Sequence, residues 1–161
     1  MDLIIKPPIK IVWHAGLELG IDIIDEQHKR LIGIINDLYM ARFEQNIEHI
    51  NKTLDELNKY TWVHFATEEA LMEKAGCACL EAHKLEHDQM KKQIKLFAKA
   101  FAKSDDVSQD LQSMLMNWLL SHTAQTDKGY SEDVKRFLAT KPEPDKATAS
   151  RWAVFIKKFK A

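Results

Sequence analysis

The stretch HFATEEALM, residues 64 to 72, reads as a helix whose apolar side should face a core, yet that side carries His64 and, one turn later, Glu68. Leu57, Thr61, His64, Glu68 and Leu71 follow one another in alternating steps of four and three, the spacing of a single helical face. The same stripe extends back through Leu54 to Ile50, and Gly76 is placed to end the helix. A helix this long with one apolar side must bury it against others.

Three further stripes supply the partners. The first helix should begin near Asp22 or Asp25, either of which can cap it, and carries Ile24, His28, Leu31, Ile35 and Leu38. The third carries Leu80, His83, His87, Met90, Ile94, Phe97 and Phe101, and the fourth Leu111, Leu115, Trp118 and His122. Breaks at Glu44 to Asn46 and Ser104 to Asp106 are short, and short connections join antiparallel neighbours. The fold class is therefore all-α: an up-down-up-down four-helix bundle over residues 22–130. Residues 1–21 form an extended N-terminal arm, because Pro7 and Pro8 forbid a helix there.

In such a bundle His28, His64, Glu68, His83, His87 and His122 all fall at one end, at one depth. Leaving that many buried imidazoles unpaired would cost on the order of 1 to 3 kcal/mol each, comparable in sum with the stability of a whole domain. A metal satisfies them best. Asp127 is harder to include: five residues beyond His122 on an ideal helix it points about 140° away. It can join only if the fourth helix loosens into a wider turn or ends there.

One zinc takes about four ligands, and this set exceeds that, which argues for two metals bridged by carboxylate. Imidazole and carboxylate without thiolate suit iron or manganese better than a soft metal. The Glu-x-x-His pattern of ferritin-like dimetal bundles is absent.

These residues resemble the hemerythrin family, in particular its single-domain bacterial members. The matching pieces are Trp13, GIDIIDEQH at 20–28, YTWVHFATEEALM at 60–72, HKLEH at 83–87 and WLLSHTAQTD at 118–127. The resemblance implies two iron ions with an oxygen bridge, held by His28, His64, Glu68, His83, His87, His122 and Asp127. By the same carry-over His83, His87 and His122 hold one iron, His28 and His64 the other, and Glu68 and Asp127 bridge. The open position then lies on the iron with two histidines, and the function implied is reversible binding of dioxygen for storage, delivery or sensing, without catalysis. A di-iron redox enzyme acting on peroxide or nitric oxide, or an iron-handling protein, is the competing expectation.

Leu31, Phe65 and Leu119 lie one position or one turn from ligands and are candidates to wall the oxygen pocket. Thr123 stands where relatives carry an aliphatic residue. Its hydroxyl either faces the pocket or returns to the carbonyl four residues back. Cys77-Ala78-Cys79 replaces the aromatic residue and proline of relatives after the second helix. These two cysteines are expected to be free thiols, and His14 and His49 to be exposed.

The rest of the chain narrows the setting. With 23 basic and 24 acidic residues among 161, the net charge of −1 gives no global case for binding nucleic acid or an anionic membrane. No apolar run approaches the roughly 20 residues of a membrane span, and MDLIIKPPIKIVW is too interrupted for a signal segment, so a cytoplasmic protein is expected. The extension over 131–161 combines a linker around TKPEPDKATA, residues 140–149, with a short amphipathic helix, RWAVFIKKFK at 151–160. Trp152, Phe155, Ile156 and Phe159 share one face of that helix, which would dock on its own bundle or meet a partner or membrane surface.

Overall fold

A computed structural model describes residues 10–101 and 108–140, with backbone alone for 108–112. Four helices, α1 (Asp22–Phe43), α2 (Ile47–Ala75), α3 (Leu80–Phe101) and α4 (Ser108–Ser121), form the bundle. Neighbours in the chain are neighbours in space, and α4 returns to pack on α1, so the helices stand at four corners. The expected breaks are where the chain turns. Asn46 caps α2 by accepting a hydrogen bond from the His49 N–H, and Gly76 ends that helix in the left-handed region, with φ 69°.

The start of α1 differs from expectation. Neither Asp22 nor Asp25 caps it; Ile21 occupies that position without a side-chain bond. Asp25 instead reaches back to accept the N–H groups of Leu19 and Gly20, at 2.8 and 2.9 Å. That ties the end of the N-terminal arm to the helix. The described part of the arm is not wholly extended: Ala15–Leu17 make a 3-10 turn, and Leu17, Leu19 and Ile21 are buried. His14 is exposed as expected and accepts from the Gly16 N–H, whereas His49 is half-buried rather than exposed.

A fifth helix, α5 (Lys128–Ala139), crosses the boundary expected at Ser131. It packs on α2 and buries Tyr130, Ser131 and Val134. Two apolar clusters result. The larger fills the bundle with Leu31, Ile35, Leu38, Leu57, Phe65, Met90, Ile94, Leu115 and Leu119. The smaller joins Leu19, Ile21, Ile24, Met72 and Cys77 to Tyr130 and Val134. Along α1 the change from one to the other falls at His28, between Ile24 and Leu31; along α2 it falls at Glu68, between Phe65 and Met72. The polar level of the bundle is thus closed by apolar packing above and below.

Among the described residues no helix is long and apolar enough to cross a membrane. Leu111 as a side chain, and the linker and amphipathic helix expected beyond Thr140, lie outside the described residues.

Candidate metal centre

The four helices bring the imidazoles of His28, His64, His83, His87 and His122 to one depth, each 2 % exposed or less, with Glu68 and Asp127 fully buried among them. Asp127 arrives there because α4 does loosen. Residues His122–Thr126 form a π-helical turn in which the Asp127 N–H bonds to the His122 carbonyl, five residues back, at 2.9 Å. The wider turn brings the Asp127 carboxylate over His122, with Oδ1 3.1 Å from Nε2. Distortions of this kind concentrate at functional sites.

Two sets of possible ligand atoms lie within 4.8 Å of one another: Glu68, His83, His87 and His122, and His28, His64 and Glu68. Glu68 belongs to both. Its Oε2 stands 3.2 Å from His87 Nε2, 3.5 Å from His64 Nε2 and 3.6 Å from His83 Nε2, and its Oε1 3.8 Å from His28 Nε2. Asp127 spans the same division, with Oδ1 near His83 and His122 and Oδ2 3.3 Å from His28.

The outer nitrogens reveal the tautomers. His87 Nδ1 meets the Glu69 carboxylate at 2.9 Å, His122 Nδ1 meets Glu86 at 3.0 Å, and His64 Nδ1 meets the Gln27 amide oxygen at 3.1 Å. Each helix supplies the acceptor for a histidine on the next: α1 for α2, α2 for α3, α3 for α4. Acceptors at Nδ1 hold the ring proton there and leave the Nε2 lone pair facing inward. With both rings neutral, the Nε2 lone pairs of His87 and His122 face each other at 3.2 Å, an arrangement that a cation between them relieves. His28 Nε2, His64 Nε2, His83 Nε2, Glu68 Oε2 and both Asp127 oxygens are buried without a hydrogen-bond partner among the described residues. Buried polar atoms are seldom left so, and lone pairs aimed at shared points instead of at donors are the geometry of ligands.

The electrostatics agree. Burial drives His64 from its ordinary 6.5 to about 3, against the pull of Glu68, so its ring is neutral and free to ligate. Glu68 is also buried, which pushes its pKa up, but the surrounding histidines outweigh this and hold it well below the ordinary carboxylate value. Asp127 behaves alike: burial and Glu68 push up, while His122 and His28 win and keep it ionised. His122 is the exception: burial lowers its pKa, but the Asp127 carboxylate 3.1 Å from Nε2 outweighs this and raises it, so without a cation this ring takes up a proton more readily than a free imidazole.

Sequence reasoning passed over four residues that complete this site. Gln27, Glu69 and Glu86 each adjoin a ligand position in the chain, but as polar residues on helices they read as solvated. Tyr130, from α5, donates its hydroxyl to Glu68 Oε1 at 2.5 Å. Burial, then Glu68 and Asp127, raise the Tyr130 pKa well above 10, which keeps the phenol protonated as a donor. Its signal was the pair Tyr130 and Val134, four apart, which begins an apolar face.

Directly below the ligands lies a cavity of about 20 Å³, lined by Leu31, Ile35, Leu57, Thr61, Phe65, Met90, Ile94, Leu115, Trp118 and Leu119. Its walls are the next turns of the ligand helices: Leu31 follows His28 by three, Thr61 precedes His64 by three, Met90 follows His87 by three and Leu119 precedes His122 by three. That volume holds about one water-sized molecule. Phe65 is stacked flat on His87, with centroids 3.7 Å apart, and Trp118 on His122 at 4.1 Å. Leu31, Phe65 and Leu119, three of the candidates for an oxygen pocket, line this space, and the fourth, Thr123, is not among its walls. Thr123 is 1 % exposed and its hydroxyl has no partner, so the return bond to the carbonyl four residues back is not made. Cys77 and Cys79 are free thiols, the first buried and the second exposed.

Residues 19–133 match the model of the hemerythrin HHE cation binding domain. A bacteriohemerythrin of Stenotrophomonas maltophilia is 38% identical over 128 residues, covering 80% of this chain and 84% of the relative. One from Clostridium acetobutylicum is 35% identical over 125 residues, covering 74% and 97%. The crystal structure of a wild-type hemerythrin superposes with a TM-score of 0.74 at 32% identity, covering 78% of this chain and 98% of that one.

Proposed function

Because the chain belongs to the hemerythrin family, we propose that it binds dioxygen reversibly at a di-iron centre. His83, His87 and His122 would hold one iron, His28 and His64 the other, with Glu68 and Asp127 shared. The observation that carries this reading is the pair of ligand sets joined by Glu68, with inward lone pairs fixed by acceptors behind the rings. Imidazole and carboxylate without thiolate suit iron. When bound, such a pair supplies the electrons for reversible binding of dioxygen.

The chain's own part is to orient and to keep dry. Gln27, Glu69 and Glu86 fix the rings of His64, His87 and His122, and the flat stacks of Phe65 and Trp118 stop two of them from tilting. Tyr130 holds one oxygen of Glu68 by donating to it and can take no proton from the site, since its oxygen is already the protonated partner. The cavity beneath presents hydrocarbon and aromatic surface and the single hydroxyl-bearing side chain of Thr61. Metal analysis of protein produced with ample iron should give two irons per chain, and the reduced protein should pass through repeated cycles of oxygenation and deoxygenation with full spectral recovery. One-way oxidation in the first cycle would overturn carriage; a single metal, or tightly held zinc, would overturn the di-iron site.

Turnover of peroxide or nitric oxide is the second reading, and the observation that bears on it is the buried hydroxyl of Thr123, next to His122 in the chain, which has no partner among the described residues. A buried hydroxyl can donate a proton where an aliphatic side chain offers none. Thr123→Val keeps the shape and removes the hydroxyl, and is expected to slow irreversible oxidation in air by about five- to thirtyfold, the rate worth of one such hydrogen bond. Equal oxidation rates in the two proteins would show that the hydroxyl plays no part.

A further inference from the structure

A second, much larger space lies outside the bundle: a groove of about 450 Å³ between α3 and α4, lined by Gln89, Met90, Gln93, Phe97, Met114 and Trp118. It shares two residues with the buried cavity, Met90 and Trp118, and no others. Among the walls of the cavity, every residue except Trp118 is buried. Met90 is buried in the same core but also lines the groove; through the other walls a ligand could pass only by displacing several side chains together. Met90 and Trp118 line both spaces, so each stands between the groove and the space beneath the ligands.

The two side chains differ in mobility. Trp118 is held by its stack on His122 and by an edge contact with Phe65, centroids 5.5 Å apart. Among the described residues Met90 has no polar partner, and its unbranched side chain has three rotatable bonds and adapts to irregular gaps. We propose that small apolar ligands reach the cavity from the α3–α4 groove through a passage between Met90 and Trp118, with Met90 as the moving leaf and Trp118 as the fixed wall. The choice of dioxygen as the ligand rests on the function proposed above; the passage itself follows from the two spaces and their shared walls. A leaf of this kind sets how fast a ligand comes and goes without setting how tightly it is held.

The test is the kinetics of the iron-loaded, reduced protein mixed with dioxygen. In Met90→Phe the association and dissociation rates should both fall, and in Met90→Ala both should rise, by about three- to tenfold, the rate worth of one strained rotamer. Met90 also walls the cavity, so the passage is identified not by a constant affinity but by both rates moving together, down in Met90→Phe and up in Met90→Ala. Unchanged rates in both variants would overturn the passage, and so would a change in affinity carried by one rate alone. If the reduced protein takes up no dioxygen, the proposed function fails, and the association rates of nitric oxide with the same variants still decide the passage. A readout independent of the metal's ligand is methyl relaxation in the oxidised, iron-loaded protein under dioxygen pressure. Dissolved dioxygen is paramagnetic and should relax the methyls of Leu31 and Ile94, which line the cavity, several-fold more than those of Val134 in the smaller cluster. Equal relaxation at the two places would mean that the cavity admits no ligand.

Discussion

Stripping the metal from the loaded protein is expected to lower its stability at neutral pH by about 4 kcal/mol or more, the stabilisation given by a ligand present at a thousand times its dissociation constant. For a chain of this size that is a fall of roughly 8 to 16 °C in melting temperature. The cause is local. Without a cation the Nε2 atoms of His87 and His122 crowd each other at 3.2 Å, and among the described residues the inward nitrogens of His28, His64 and His83 and the inward oxygen of Glu68 have no hydrogen-bond partner. Acid should deepen the loss. In the metal-free protein His64 is held at about 3 against 6.5 when unfolded, so below pH 6.5 the unfolded chain binds the proton and the folded one does not. Its contribution therefore costs about 1.4 kcal/mol for each pH unit from 6.5 towards 3. Glu68 and Asp127, whose pKa values are lowered by folding, act in the same sense at lower pH: their stabilisation is present above the unfolded value and is lost as the pH falls through the folded one. His122 has the opposite sign. Its raised pKa contributes stability that is complete below 6.5 and is lost as the pH rises through the folded value. The two histidines together place the greatest stability of the metal-free protein near pH 6.5. Denaturant titrations of loaded and stripped protein at pH 5, 6.5 and 8 check this; equal midpoints with and without metal, or a stripped protein firmer at pH 5 than at 6.5, would contradict it.

Glu68→Gln is expected to weaken metal binding by more than a hundredfold and to leave less than two irons per chain. Glu68 is the one residue common to both ligand sets, and its oxygens lie within 3.2 to 3.8 Å of His28, His64, His83 and His87. Glutamine preserves the shape but replaces one acceptor oxygen by an NH₂ group and removes the charge. Either orientation harms the site: the amide donor points at inward lone pairs, or it meets the Tyr130 hydroxyl that now donates to Oε1. Tyr130→Phe provides the graded comparison. It removes only the donor behind the carboxylate, and loss of such a supporting partner costs about 10- to 100-fold in affinity. Metal content after dialysis and calorimetric titration measure both. Two irons retained by Glu68→Gln would deny it the shared position, and a Tyr130→Phe variant as damaged as Glu68→Gln would mean that the tyrosine does more than hold an oxygen.

Much of the bundle was legible because burial leaves a period in the sequence. Stripes stepping by three and four gave the helices and the faces they bury, and the imidazoles stood out as polar interruptions of those stripes at one depth. Asp127 marks where the period stops being informative. The spacing from His122 is wrong for an α-helix and right for a π-helical turn, and nothing local in HTAQTD distinguishes the two. The turn persists where the surrounding helices and the ligand level hold the carboxylate inward. Tyr130 was missed for a related reason: α5 carries its apolar face on a short helix that packs against the end of the bundle, outside the pattern of four seams.

Along the four stripes the helical period shows which side chains face inward, because each position's apolar or polar character is written into the chain; Asp127 and Tyr130 fall outside it. Only the tertiary structure decided what those side chains meet. Gln27 with His64, Glu69 with His87 and Glu86 with His122 are pairs between different helices, as are Met90 and Trp118, and their contact depends on the relative rotation and height of two helices. That relation is set when many side chains pack at once, a collective minimum that no single stripe encodes.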